Sequence, residues 1–306
     1  MTIHDPRATR RALLLMTGAA TLFGAMAFAA KLSSARLSGS QVAMIRMLIG
    51  LLPALLITRY RRKAFTFDRW DLLLLRGILG GLAVLLYFIA IEHASVGVAT
   101  LLNYTSPLFA GAFSMLFIGE RISPKVLIPM PIALTGIVLV VQASARPGDF
   151  LGFGRWELVG LGSALFSGAA VTAMRAARRT ENSWAVYTSF CLFGVLVSAP
   201  MGIASWQTPS GAHEWLSLAA MSLFAIGAQL LLTFSLRWVD AMTVGVISQL
   251  AVLISMALGA TILGEVISPM AALGAALTIG GVVGVVYVTS LAKPTAAAAD
   301  EVAPEA

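Results

Sequence analysis

The chain has 306 residues, of which 58% are hydrophobic and 11% are charged, and its mean hydropathy is +0.89. Soluble domains carry about 25% charged residues, so this chain has too little polar surface to cover a water-soluble globule and is expected to lie mostly in lipid. The net charge of +7 does not indicate nucleic-acid binding, because the basic residues cluster in short connectors, as membrane topology signals do.

Apolar runs long enough to cross a membrane recur along the chain. A helix needs about twenty residues, each rising about 1.5 Å, to span a ~30 Å hydrocarbon core. Ten runs predict transmembrane helices at residues 12–31, 40–58, 71–92, 95–118, 124–142, 157–177, 184–205, 215–237, 241–263 and 269–291. The first run is too long for a cleaved secretory signal, and more spans follow it. Residues 1–11 are expected to form a cytoplasmic tail and residues 292–306 a disordered cytoplasmic tail.

The basic residues also orient the spans. With the N-terminus inside, 15 Lys and Arg residues fall in inner segments and 4 in outer ones. This positive-inside bias predicts that both termini are cytoplasmic.

Six residues occur twice, at the ends of the fourth and ninth predicted spans. Gly-Glu-Arg-Ile-Ser-Pro at 119–124 returns as Gly-Glu-Val-Ile-Ser-Pro at 264–269, which is 145 residues later. Because five spans is an odd number, a duplicated half would sit upside down relative to the first, as in many secondary transporters. We therefore expect an all-α membrane protein with ten transmembrane helices in two inverted five-helix repeats, 12–142 and 157–291, joined by a periplasmic linker, 143–156. The alternative is that the motif only ends one helix and starts the next, through a serine cap and a first-turn proline.

The chain resembles the EamA family of the drug/metabolite transporter superfamily over about residues 12–291. The resemblance rests on the ten spans, the two repeats, the Gly-Glu-Arg-Ile that ends the fourth span, and the fourth-span segment Ala-Thr-Leu-Leu-Asn-Tyr-Thr-Ser-Pro-Leu-Phe at 99–109. It implies a carrier of the bacterial inner membrane, usually an exporter of amino acids or small metabolites. One departure is that the ninth span has no proline matching Pro107. If Pro107 forms a hinge in the first half, the corresponding hinge in the second half is expected to be weaker.

Polar residues inside the spans are costly and therefore mark candidate binding positions. They lie near the middle of spans four, eight and nine and in the outer half of span three. The candidates for substrate binding are Tyr87, Asn103, Tyr104, Gln229, Ser248 and Gln249. We expect them to converge on a central cavity. The alternative is that these amides and hydroxyls bond neighbouring helices, each contributing about 0.6–2 kcal/mol.

Charged residues near or inside the spans suggest further roles. Arg46 lies well inside span two, where an arginine costs about 2.5–3.5 kcal/mol, and is expected either to pin helices together or to contact an anionic substrate group. Arg76 lies near the inner edge of span three and is expected to extend to the interface. Glu120 and Glu265 end spans four and nine and are expected to accept hydrogen bonds from N–H groups at the next helix start, with proton coupling as the second interpretation.

The remaining patterns exclude other classes of function. The single cysteine, Cys191, excludes an internal disulfide and a cysteine metal site and is interpreted as packing filler. No paired nucleophile and base and no metal-ligand spacing is found, so neither an enzyme nor a metal or cofactor is expected. The expected partners are a small-molecule substrate and the lipid bilayer, with a monomer or a homodimer equally open. The preferred function is export of a small metabolite by alternating access; the alternatives are import of a metabolite or vitamin with the same fold, and a non-transporting membrane scaffold.

Overall fold

The computed structural model describes residues 6–61, 65–118, 124–143, 154–177, 180–235 and 241–291. Within these ranges all regular structure is helical. The α-helices are α1 (Pro6–Ser33), α2 (Gly39–Arg61), α3 (Trp70–His93), α4 (Val96–Asn103), α5 (Ser106–Ile118), α6 (Pro129–Ala143), α7 (Arg155–Ala177), α8 (Ser183–Ala204), α9 (Ala212–Ser235), α10 (Ala241–Ile262) and α11 (Pro269–Leu291), and a 3-10 turn at Pro124–Leu127 precedes α6. Among the described residues, eight helices are long and apolar enough to cross a membrane, and the apolar part of α10 at Ile247–Ile262 is shorter.

The predicted spans agree with these helices in place but differ at three points. The fifth predicted span begins as the 3-10 turn Pro124–Leu127 and becomes α-helical only at Pro129. α1 begins at Pro6, before the predicted span and inside the expected tail, since Ala and Arg favour helix beyond the apolar run. The fourth predicted span is two helices, α4 and α5, which are separated at Tyr104 and Thr105. The expected disordered tail, 292–306, lies outside the described residues, as does most of the expected linker.

Local chemistry explains the break between α4 and α5. Thr105 turns its hydroxyl back onto the carbonyl oxygen of Leu102 at 2.6 Å, which offers the backbone an alternative to the next helical turn. Pro107 lies in the first turn of α5, where its missing N–H leaves no intrahelical bond unmade. α10 runs from Ala241 to Ile262 without a break, in agreement with the absence of a matching proline.

The helices of the two halves interlock. α3 packs against α7 and α8, α1 packs against α9 and α10, and α5 packs against α7. In three further contacts, a helix of the first half packs against the corresponding helix of the second half. These pairs are α2 with α8, α4 with α10, and α6 with α11. The buried core clusters therefore contain residues of both halves, while many large aliphatic side chains on the outer faces are exposed, as a lipid-facing surface requires.

The partner residues of two close glycine contacts have the same spacing as the two copies of the six-residue motif. A Cβ on Gly24 would lie 3.0 Å from the carbonyl oxygen of Ala251 and 2.7 Å from Ile254 Cγ2. A Cβ on Gly168 would lie 2.9 Å from the carbonyl oxygen of Ser106 and 2.7 Å from the Cβ of Phe109. Since Ser106 and Phe109 precede Ala251 and Ile254 by 145 residues, α7 contacts α5 as α1 contacts α10.

The connectors meet in two groups, one at each end of the bundle. At one end, the backbone N–H of Arg69, before α3, donates to the carboxylate of Glu181, before α8. At the other end, Arg36, after α1, forms an ion pair of 2.8 Å with Glu214 in the first turn of α9. Both groupings match the alternation of inner and outer connectors that the span count predicts.

Candidate functional site

A narrow cavity lies between α2 of the first half and α8 and α9 of the second. Its lining residues are Arg46, Met47, Gly50, Tyr187, Phe190, Cys191, Ala225, Ile226 and Gln229. The empty volume is about 240 Å³ even when the open mouth is counted, so the enclosed space is smaller than that. A metabolite would therefore need these helices to move apart before it could enter.

Arg46 is the charged group of this cavity, and it is 8% exposed. Its Nε is buried without a hydrogen-bond partner, and its Nη1 lies 3.9 Å from the thioether sulfur of Met47, a weak acceptor. The guanidinium carbon lies 5.8 Å from the centre of the Phe88 ring and 5.7 Å from that of Phe190. In the described part of the chain no carboxylate forms an ion pair with Arg46, so aromatic faces contact this cation where an acid would be expected.

Arg76 approaches the same aromatic ring from α3. Its guanidinium carbon lies 4.6 Å from the centre of the Phe190 ring, and its Nε is also buried without a partner. The side chain packs inward against α8, so the expectation that Arg76 simply extends to the membrane interface is wrong. The sequence could not reveal this, because the packing of α3 on α8 brings Phe190 within reach only in the folded bundle.

The polar residues at the α4–α5 break bond neighbouring helices. Gln249 Nε2 donates to the carbonyl oxygen of Tyr104 at 3.3 Å, and Tyr104 is the residue 145 positions before it. Asn103 Nδ2 donates to Ser163 Oγ at 2.9 Å. Ser248 is half-buried and also has an interacting partner. In this conformation these side chains join α4 to α7 and α10, as the interhelical alternative predicts.

Tyrosines connect the break to the cavity. Tyr87 is buried and shares a hydrogen bond of 2.9 Å with Thr100 Oγ1 on α4. The side chains of Tyr87, Tyr104 and Tyr187 lie around the Arg46 guanidinium. Arg46 therefore lies between the cavity and the α4–α5 break.

Of the predicted residues, Arg46 and Gln229 line the cavity, whereas Asn103, Tyr104, Ser248 and Gln249 lie at the break. The sequence interpretation missed the wall that α8 supplies. Tyr187 donates to the carbonyl oxygen of Gly50 at 2.8 Å, and Cys191, interpreted as packing filler, lines the cavity one turn further on. The spacing of Tyr187 and Cys191, four residues apart on one helix face, was the signal that could have found this wall.

Glu265 has the predicted chemistry but on a different helix. Both carboxylate oxygens lie 3.0 Å from the backbone nitrogen of Val96, which is the first residue of α4. Gly264 adopts a φ of +66°, a left-handed conformation that glycine accepts without strain. This turn directs Glu265 toward the other half. The sequence had predicted that Glu265 would instead bond to the start of the following helix, α11. Glu120 lies outside the described residues.

Further polar contacts surround Glu265 at the same end of the bundle. Lys31 Nζ donates to the carbonyl oxygens of Ile91, Glu92 and Ala94 at 2.8, 3.2 and 2.7 Å. Glu92 in turn accepts a hydrogen bond of 2.6 Å from the backbone N–H of Gly39. With the Arg36–Glu214 ion pair, these contacts tie together α1, α2, α3, α4, α9 and the segment after α10. We call the cluster of Lys31, Arg36, Glu92, Glu214 and Glu265 the closed end.

The sequence is similar to that of known transporters along nearly its whole length. The model of the EamA-like transporter family matches residues 10–142 and again residues 154–287. The pseudopaline exporter CntI of Pseudomonas aeruginosa (strain UCBPP-PA14) is 29% identical over 282 residues, which are 92% of this chain and 95% of that protein. Solute carrier family 35 member G1 of Homo sapiens is 24% identical over 190 residues, which are 58% of this chain and 52% of that protein. A crystal structure of a protein with 23% sequence identity has a TM-score of 0.60 and covers 92% of this chain and 99% of that one, so the two share a fold.

Proposed function

Because the chain belongs to the EamA-like transporter family, we propose that it exports a small metabolite, an amino acid or a related compound, by alternating access across the bacterial inner membrane. It is a multi-pass membrane transporter and not an enzyme. The similarity to a pseudopaline exporter over 92% of the chain supports the outward direction. The excess of basic residues on the predicted inner side supports cytoplasmic termini.

The observation that carries this proposal is the position of the cavity. It is lined by α2 from the first half and by α8 and α9 from the second, and a substrate site between two repeats is the usual place in secondary transporters. A site shared by both halves can be exposed to either side by a relative movement of the halves. The polar contacts of the closed end keep one side shut, so opening that side requires them to break.

An inverted arrangement of the two halves supplies two states of similar energy. The reciprocal contacts of Gly24 with α10 and of Gly168 with α5 support a pseudo-twofold relation. Gln249 bonding to Tyr104, its counterpart 145 residues earlier, supports an axis that passes near the α4–α5 break. In this proposal Pro107 is the hinge, and Asn103, Tyr104, Ser248 and Gln249 exchange their interhelical bonds for bonds to substrate, together with Tyr87 and Gln229.

The direction of transport is tested with membrane vesicles of opposite orientation. Everted vesicles that contain the protein are expected to accumulate at least one compound from a panel of labelled amino acids and amino-acid derivatives, and right-side-out vesicles are not. Vesicles from cells without the protein are the control. Accumulation only in right-side-out vesicles would establish the importer alternative, and no flux in either orientation would contradict both.

The scaffold alternative is tested by water access to the break. In a Cys191→Ser background, Asn103→Cys and Gln249→Cys are treated with a membrane-impermeant thiol reagent. A carrier is expected to expose at least one of these positions during its cycle. Leu223→Cys is the matched control, because residue 223 is 65% exposed on the outer face of α9 and should face lipid. Equal lack of labelling at all three positions would favour the scaffold.

A further inference from the structure

Two cations lie against one aromatic ring beside the cavity. Arg46 and Arg76 come within 5.7 and 4.6 Å of the centre of Phe190, and each has a buried Nε without a hydrogen-bond partner. The two guanidinium carbons are therefore no farther apart than the sum of these two distances. Like charges at such range repel, and the low dielectric of a membrane interior strengthens the repulsion. An arrangement of this kind is unfavourable unless something negative binds there.

Among the described residues, those around the pair supply no negative charge. The ion pairs of the described chain involve Arg36, Arg69 and His93 and lie toward the two ends of the bundle. The groups beside Arg46 that titrate are the phenols of Tyr87, Tyr104 and Tyr187 and the thiol of Cys191, which are neutral at pH 7 at their ordinary pKa values. From α9 the cavity receives Ala225, Ile226 and Gln229, none of which is charged.

A purely structural role would leave a different pattern of contacts. An arginine that pins helices uses its five N–H donors on carbonyl oxygens or carboxylates of those helices. Arg46 instead contacts a thioether at 3.9 Å and two ring faces. Cation–π contacts hold the guanidinium in place and leave its donors available. The donors border the cavity, whose other walls are mostly apolar.

We propose that this cavity takes a substrate bearing a carboxylate, which Arg46 binds as the contact residue. Arg76 is a positioning residue that holds Phe190 and adds a second positive charge. The planar guanidinium matches a carboxylate in a bidentate geometry. A single contacting guanidinium suits a carboxylate better than a phosphate, whose three terminal oxygens require more donors than this cavity offers. The proposal rests on the proposed function, because it names the substrate class of the same site.

The test uses pairs of probes that differ only in the charge of one group. Purified full-length protein in detergent is titrated with alanine and alaninamide, leucine and leucinamide, and propionate and propionamide, so that each amide lacks the one carboxylate of its acid. Binding is read from thermal unfolding and from tryptophan fluorescence, since the ring of Trp184 lies 6.2 Å from that of Tyr187 on the cavity wall. We expect at least one acid to bind about tenfold or more tightly than its amide, which is the range of a charge-assisted pair.

The variants assign this preference to the site. Arg46→Gln is expected to abolish the acid preference, Arg46→Lys to keep it with weaker affinity, and Arg76→Gln to weaken it several-fold. Arg155→Gln is the matched control, because Arg155 is exposed at the start of α7, and it should leave the preference unchanged. Without ligand, Arg46→Gln should unfold at a higher temperature than the parent, since it removes an unpaired buried charge; a helix-pinning role predicts a lower one.

The outcomes separate this inference from the proposed function. Equal binding of acids and amides, no binding of any acid, an acid preference that survives Arg46→Gln, or tighter binding of glycerol phosphate than of every carboxylate overturns the inference. If everted vesicles accumulate only neutral compounds, the proposed export function is supported and the carboxylate site is contradicted. Acid binding lost in Arg46→Gln but with no flux in either vesicle orientation supports the carboxylate site and contradicts export.

Discussion

At the scale of single residues, the sequence shows which polar side chains cost free energy inside the membrane, but not which residues surround them. Arg46 and Gln229 were predictable because a charged or amide side chain in mid-membrane is costly and usually marks a functional position. Both residues line the cavity. Phe190 and Cys191 were not predictable, because an aromatic ring or a thiol in an apolar helix carries no such cost. Only the packing of α8 on α2 and α3 reveals that they form the wall opposite Arg46.

The single cysteine of the chain can report directly on the opening of the cavity. Cys191 is 2% exposed, so a membrane-impermeant maleimide should label it slowly in the conformation described here. A transported compound should change that rate, because alternating access exposes the cavity to water in part of each cycle. The measurement is the labelling rate in vesicles with and without the compound, and Cys191→Ala is the control for background. A rate that stays the same during active transport would contradict a substrate path through this cavity.

At the scale of the elements, apolar length predicts where helices lie but not where they break. The fourth span reads as one continuous run from its composition, whereas Thr105 and Pro107 divide it. The sequence predicted a hinge at Pro107 that is weaker in the second half, and α10, which has no matching proline, is continuous from Ala241 to Ile262. The partner of Glu265 could not be predicted, because the start of α4 is 169 residues away in the chain and meets it only through the packing of α4 on α10.

The closed end is expected to open more readily when Glu265 loses its charge. Glu265→Gln keeps the size of the side chain but weakens both hydrogen bonds to the N–H of Val96, and bonds to charged groups contribute about 1.5–3 kcal/mol. We expect the free energy of unfolding to fall by about 1–2 kcal/mol and labelling of Cys191 from the outer side to become faster. Asp68→Asn, at an exposed position before α3, is the matched control. Slower outer labelling in Glu265→Gln would contradict a role in keeping this end shut.

The α6–α11 contact depends on glycines that two neighbouring substitutions can distinguish. A Cβ on Gly281 would collide with the backbone nitrogen of Ala133, whereas one on Gly280 would meet nothing within 4 Å. Gly281→Ala should therefore destabilise the protein by about 1–3 kcal/mol through overpacking. Gly280→Ala should be neutral or stabilising by up to about 1 kcal/mol, because alanine favours helix over glycine. Thermal unfolding of both variants in detergent tests this, and equal effects would mean that α6 and α11 do not pack so closely.

At the scale of the whole molecule, the duplication readable in the sequence has a consequence that the sequence alone did not reveal. Two five-helix halves could have formed two separate bundles side by side. In the structure most large helix contacts cross between the halves, with α1 on α9, α3 on α7 and α2 on α8. The six-residue motif predicted the repeat, but the partner helices are set by packing between segments more than 60 residues apart in the chain, which periodicity cannot encode.

This interlocking predicts that the covalent link between the halves is not needed once the protein is folded. A protease site inserted between Gly148 and Asp149 would be cleaved in the purified protein. We expect the two fragments to co-elute in size-exclusion chromatography in detergent and to separate only in denaturant, because each half buries its apolar faces on the other. The unfolding temperature should fall by only a few degrees, since cutting one connector mainly releases loop-closure entropy. Fragments that part without denaturant would instead mean that the halves form independent bundles, and a cavity shared by α2, α8 and α9 would then be ruled out.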